Sequence, residues 1–79
     1  MNIEYLTTMV NDISHYFVTE ADHAAAISSI AQHLNKLWEP RMRQQILQHL
    51  DAGAAGLEPL AHEAVQKLAE MESPRTLTG

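Results

Sequence analysis

The prolines constrain this chain more than any other feature, because each of them marks a place where a helix has to end or begin. Pro40 and Pro59 each follow a glutamate, and Pro74 follows a serine. The residue before a proline avoids the α region, whereas proline itself suits the first position of a new helix. The prolines therefore divide the 79 residues into helix-sized segments.

Apolar residues recur within these segments at steps of three and four, which is the spacing of one helix face. The pattern predicts a first helix over residues 3–18 and a second that begins at the capping-box-like stretch Thr19–Asp22. A third, short helix starts at Pro40 and ends near Gly53, and a fourth follows Pro59. The apolar face of the first helix comprises Ile3, Leu6, Val10, Ile13 and Phe17, with Met9 and Tyr16 beside them, and that of the second comprises Ala24, Ile27, Ile30, Ala31, Leu34 and either Leu37 or Trp38. The face of the third helix comprises Met42, Ile46, Leu47 and Leu50, and that of the fourth comprises Leu57, Leu60, Ala61, Ala64, Val65 and Leu68.

We therefore expect an all-α fold, a small four-helix domain with short connections over residues 1–72 and a flexible C-terminal tail over residues 73–79. A domain of this length buries a modest fraction of its surface, so we expect the isolated chain to be only marginally stable. The chain has no cysteine, so no disulfide framework can add to that stability.

The N-terminal residues and the net charge limit which compartment and which partners we expect for this chain. The first ten residues lack the basic region of a signal peptide, and no apolar run approaches the roughly 20 residues of a membrane span. We expect a cytoplasmic protein without a membrane contact. The formal net charge of −5 argues against nucleic acid, because phosphate binding needs a broad basic surface.

The sequence offers little for metal binding or catalysis. No two of the five histidines are three or four residues apart, as a helical two-histidine site requires. There is also no cysteine nucleophile, no Gly-x-Ser-x-Gly sequence and no phosphate-binding loop. We expect no catalytic residue, cofactor site or metal site in this chain. The histidines are His15, His23, His33, His49 and His62.

The stretch WEPRMR, preceded by Lys36 and Leu37, is the exception. It contains the single tryptophan and, together with Lys36, three of the five basic residues. A helix that starts at Pro40 leaves unpaired backbone N–H groups near two arginines, and Trp and Arg are enriched at the energetic centres of interfaces. The alternative is that Trp38 packs in the core while the arginines are solvated. The candidate partner-binding residues are Lys36, Trp38, Arg41, Met42 and Arg43.

The segment IAQHLNKLWEPRMRQQILQHLDAGAAGL resembles the delta subunit of soluble, cytoplasmic NAD-dependent formate dehydrogenases. An Ala-x-His-Leu segment leads into an aromatic, an acid, Pro, Arg and Met, and a glycine-containing turn precedes Leu-x-Pro-Leu. Ala54 stands where the pattern would also accept glycine. The resemblance covers most of residues 3–70. Its residues are Ala31, His33, Leu34, Leu37, Trp38, Glu39, Pro40, Arg41, Met42, Gly53, Gly56, Leu57, Pro59 and Leu60.

The resemblance implies a non-catalytic accessory subunit in a hetero-oligomer. The large catalytic subunit of such a complex carries a molybdenum or tungsten pterin and iron–sulfur clusters, and other subunits carry FMN and further clusters. The delta subunit itself holds no cofactor and supports assembly or stability of the complex. From the residues alone, two alternatives remain open, a stand-alone helical adaptor that self-associates and a regulator that binds an anion at the corner around Trp38.

Overall fold

The computed structural model describes residues 2–72, which form four α-helices joined by short connections. The helices are α1 (Ile3–Tyr16), α2 (His23–Leu37), α3 (Pro40–Asp51) and α4 (Pro59–Glu72). None of residues 2–72 lies in a strand. The predicted all-α, four-helix fold is therefore confirmed. The tail predicted over residues 73–79 lies outside the described part of the chain.

Two helix boundaries differ from the prediction at the connection between α1 and α2. α1 ends at Tyr16 rather than near residue 18, because the backbone turns where the Glu20 N–H donates to the Phe17 carbonyl at 3.0 Å. That turn contains Thr19, so Thr19 does not cap α2. Asp22 is the N-cap instead, and its carboxylate accepts a hydrogen bond from the Ala25 N–H at 3.2 Å.

The core lies where α2 and α4 pack along each other with α1 and α3 against them. α2 and α4 run in the same direction, since residues near the start of one contact residues near the start of the other, and the same holds at their ends. His23 contacts Glu63, and Asn35 contacts Glu72. α3 carries the chain back between them. The central cluster consists of Leu6, Val10, Ala31, Leu34, Trp38, Ile46, Ala61, Val65 and Leu68.

The predicted apolar faces locate this core, with exceptions at the helix ends. Tyr16 is 85% exposed and Ala24 is also exposed, although both were placed on or beside an apolar face. At the end of α2, where either of two residues could continue the face, Trp38 is 5% exposed and Leu37 is 68% exposed. The periodic pattern fails at these positions because each lies where the helix begins or ends and the regular spacing no longer applies.

The connection between α3 and α4 depends on left-handed backbone conformations. Gly53, Ala54 and Gly56 have φ values of 118°, 58° and 85°. Ala54 is buried, and its N–H donates to the His49 carbonyl at 2.9 Å, so the end of α3 holds an alanine in a conformation that glycine adopts more readily. Asn11 of α1 then fixes the loop, donating to the Gly56 carbonyl at 2.9 Å and accepting from the Glu58 N–H at 3.0 Å.

Gly56→Ala should destabilise the fold by about 1–2 kcal/mol, because an L-residue is strained at positive φ. A Cβ at this position would also lie 3.3 Å from the Thr7 Cγ2 methyl group. Chemical denaturation followed by circular dichroism measures the change. Thr7→Ser removes that methyl group and keeps the hydroxyl, so adding it to Gly56→Ala should restore the steric part of the loss. An unchanged unfolding midpoint for Gly56→Ala would contradict this account of the loop.

Candidate functional site

Trp38 ends α2 and turns its side chain into the core. Its backbone is extended, with φ −82° and ψ 140°, and its N–H donates to the Leu34 carbonyl at 3.0 Å. Pro40 restricts Glu39, the residue before it, to the extended region, and Trp38 is extended as well, so the chain leaves α2 here before α3 starts. Only 5% of Trp38 is exposed, so in this conformation the indole offers a partner almost no surface.

The first turn of α3 has unpaired backbone N–H groups, as a helix that starts at Pro40 must. Glu39 occupies the N-cap position without a side-chain hydrogen bond to the helix. Pro40 has no N–H to satisfy, and the Arg43 N–H already donates to the Glu39 carbonyl at 3.1 Å. The N–H groups of Arg41 and Met42 precede the first helical hydrogen bond, which leaves these two backbone donors near the arginines.

Arg43 is engaged within the chain rather than free at the surface. Its Nε lies 2.8 Å from Glu72 Oε2, and its Nη1 donates to the carbonyls of Trp38 and, at 3.3 Å, Asn35. The Asn35 amide donates to the same Glu72 carboxylate at 2.7 Å. The Arg43 and Glu72 side chains are only 19% and 21% exposed. This predicted contact residue therefore joins the ends of α2 and α4 to the start of α3.

The remaining candidates separate into one partly buried and two exposed residues. Met42 is half-buried and packs against the central core cluster. Lys36 and Arg41 are exposed, and so is Leu37. We call the exposed residues Lys36, Leu37 and Arg41 the basic corner. Leu37 was not among the candidate contact residues; the signal that could have indicated it is that the helix face can take only one of Leu37 and Trp38.

The histidines form contacts that the sequence spacing did not indicate. His15 Nε2 lies 2.8 Å from Glu58 Oε1, and His23 Nε2 lies 2.6 Å from Glu63 Oε1. The His23–Glu63 contact joins α2 to α4, and the His15–Glu58 contact joins α1 to the residue just before α4. Among residues 2–72, no group of three or more His, Asp or Glu side chains is arranged to hold a metal ion.

The fold and this surface define a small helical-bundle protein with an exposed leucine and two exposed cationic residues near the junction of α2 and α3. Over residues 5–65 the chain matches the NADH-dependent formate dehydrogenase delta subunit family FdsD, and it belongs to that family. The resemblance in the sequence is thereby confirmed. No curated protein and no solved structure matches the chain. Within residues 2–72, no helix has the length and apolar character that crossing a membrane requires.

Arg43→Ala should lower the free energy of unfolding by about 1–3 kcal/mol, because it leaves helix-end carbonyls and the partly buried Glu72 carboxylate without a donor. Arg41→Ala should change it by no more than about 0.5 kcal/mol, as expected for a solvated side chain. Denaturant titration of both variants measures the difference. Equal stability of the two variants would show that Arg43 does not hold the helix ends together.

A double-mutant cycle isolates the pair itself. Arg43→Ala combined with Glu72→Gln should show a coupling energy of about 1 kcal/mol. Lys67→Ala combined with Glu70→Gln is the matched control, since that pair is 3.9 Å apart with side chains 44% and 74% exposed. Exposed pairs of this kind couple by well under about 1 kcal/mol. Equal coupling in the two cycles would contradict the structural role of Arg43.

Proposed function

We propose that this chain is a non-catalytic accessory subunit of a cytoplasmic NAD-dependent formate dehydrogenase complex. In this proposal it binds the large catalytic subunit, which carries molybdenum or tungsten, and supports the assembly or stability of that subunit. The observation that carries the proposal is membership of the delta-subunit family across residues 5–65, which include all of α2 and α3 and the basic corner between them.

The residue composition supports a subunit without a redox centre of its own. Iron–sulfur clusters are held chiefly by cysteine thiolates, and this chain has no cysteine. The two histidines that contact a glutamate join separate parts of the fold, since His23 joins α2 to α4 and His15 joins α1 to Glu58 just before α4. The pterin, the clusters and the FMN are therefore proposed for the partner subunits.

The basic corner contains the two predicted contact residues that are exposed to a partner, Lys36 and Arg41, together with the exposed Leu37. Leu37 supplies exposed apolar area, and Lys36 and Arg41 can form charge-assisted hydrogen bonds to carboxylates. Trp38 and Arg43 position the basic corner from inside the fold, because the buried indole and the Arg43–Glu72 contact fix the angle between α2 and α3. Met42 packs against the core from the same turn.

Production of the formate dehydrogenase subunits with and without this chain tests the function. Its omission should lower the yield of the cofactor-loaded catalytic subunit or its formate oxidation, and the tagged chain should co-purify with that subunit. Unchanged yield and activity without co-purification would refute the proposal. Recovery of the chain only as a homodimer would favour the self-associating adaptor.

Lys36→Ala combined with Arg41→Ala should keep the unfolding midpoint and lose co-purification with the catalytic subunit. Desolvated interface cations can each contribute about 2 kcal/mol or more to binding. Arg43 is left intact, since its substitution would alter folding as well as binding. Lys67→Ala on α4 is the control for lost surface charge. Wild-type levels of complex in the double variant would show that both side chains are merely solvated.

A further inference from the structure

The end of α4 covers a guanidinium that the sequence predicted as a contact with a partner. Glu72, the last residue of α4, places its Oε2 atom 2.8 Å from Arg43 Nε. The same oxygen accepts a hydrogen bond from the Asn35 amide at 2.7 Å. We call these two interactions together the Glu72 contact. The chain thus supplies its own carboxylate to a cation for which the sequence analysis expected a partner's carboxylate.

The Glu72 contact lies directly beside the basic corner. Arg43 Nη1 donates to the carbonyls of Asn35 and Trp38, and these two residues bracket Lys36 and Leu37 in the chain. The guanidinium therefore lies against the backbone segment that carries two of the exposed residues of the basic corner. A partner carboxylate that approaches this corner also approaches Arg43.

The last turn of α4 is held less firmly than the rest of that helix. The buried residues of α4 end at Leu68, and none of residues 69–72 is buried. Glu70 and Glu72 lie in this turn without a basic residue, although the C-terminal end of a helix carries partial negative charge and favours cations. Segments with few buried apolar contacts open at a lower free energy than the core does. The last turn can therefore open while the buried part of α4 stays packed.

We propose that the Glu72 contact is autoinhibitory, in that a carboxylate of the catalytic subunit replaces Glu72 on Arg43 when the chain binds, and the last turn of α4 opens. This inference rests on the proposed function and deepens it, because it names the chemical group that Arg43 recognises together with Lys36 and Arg41. The two Nη1 hydrogen bonds remain, so the guanidinium keeps its place while its anionic partner changes. Each copy of the chain has a formal net charge of −5, and repulsion between copies disfavours a second copy as the source of the carboxylate.

The experiment compares two charge-removing variants of the same helical turn. Glu72→Gln keeps an oxygen that accepts a hydrogen bond but removes the charge that competes for Arg43. Glu70→Gln is the matched control, because Glu70 also carries a carboxylate in the last turn of α4 but is 74% exposed and lies 3.9 Å from Lys67. The probe is the purified formate dehydrogenase complex prepared without this chain. Unfolding midpoints of both variants establish that folding is retained.

Glu72→Gln should bind the complex about fivefold more tightly than Glu70→Gln, because the partner no longer has to displace an internal carboxylate. A fivefold change corresponds to about 1 kcal/mol, which is the coupling expected between Arg43 and Glu72. Any general effect of removing a negative charge from this turn occurs in both variants, so their difference isolates the Glu72 contact. A purely structural contact would give the opposite sign, since its loss would weaken binding.

Amide hydrogen exchange of the wild-type chain provides a second measurement that needs no variant. Binding to the complex should slow exchange over residues 36–43, which the partner covers. It should accelerate exchange over residues 69–72, because the last turn of α4 opens when Glu72 is displaced. Unchanged or slower exchange over residues 69–72 in the complex would show that the Glu72 contact stays closed, which overturns the proposal.

The outcomes distinguish this inference from the function on which it rests. If the wild type binds and Glu72→Gln binds no more tightly than Glu70→Gln, the Glu72 contact is structural only and the proposed function stands. If the wild type does not bind the complex, the proposed function fails and the inference fails with it. If sedimentation shows that the isolated chain self-associates and that Glu72→Gln strengthens this, a second copy supplies the carboxylate, which also overturns the proposal.

Discussion

The guanidinium of Arg43 holds the architecture of this small domain together at the point where three helix ends meet. A helix that ends at Leu37 leaves its last carbonyl groups without intrahelical partners, and its C-terminus carries partial negative charge. Arg43 donates to one of these carbonyls, that of Asn35, and to the carbonyl of the C-cap residue Trp38, and it lies 2.8 Å from Glu72 at the end of α4. This one cation therefore supplies a hydrogen-bond donor at the end of α2, neutralises the partly buried Glu72 carboxylate and fixes the start of α3. The proline two residues after Trp38 makes this possible, because it starts α3 at the distance from which Arg43 can reach back.

The sequence predicts the parts of the fold that depend on spacing within one helix. Pro40 and Pro59 give the starts of α3 and α4, and the apolar repeats give the central cluster. What could not be predicted depends on contacts between helices. Glu63 suits a contact with Lys67 one turn along the same helix, yet it contacts His23, while Lys67 lies 3.9 Å from Glu70. The partner of a surface charge is set by which helices lie side by side, and periodicity within one helix holds no information about that.

The same limit explains why the sequence could not assign each residue of the candidate site to the core or to the surface. The sequence shows that the junction concentrates Trp38 with basic side chains, but the choice between core and surface depends on the path of the chain between the helices. Because Trp38 leaves the helix in an extended conformation, its side chain enters the core and Leu37 is left outside, at 5% and 68% exposure. Arg43 could be recognised as internal only once Glu72 was known to end α4 beside it. The family resemblance, in contrast, needed only the linear order of residues.

Because the core is small, binding of a partner at the surface would matter for the stability of the folded chain. Half of the buried residues of α2 and α4 are alanines, and alanine contributes little apolar area per ordered residue. A domain with so small a core gains stability from any partner that binds only its folded form. A partner bound at the basic corner would lie beside the Arg43–Glu72 contact, which joins α3 to the end of the helix that every other helix packs against. Binding there would then favour the folded chain.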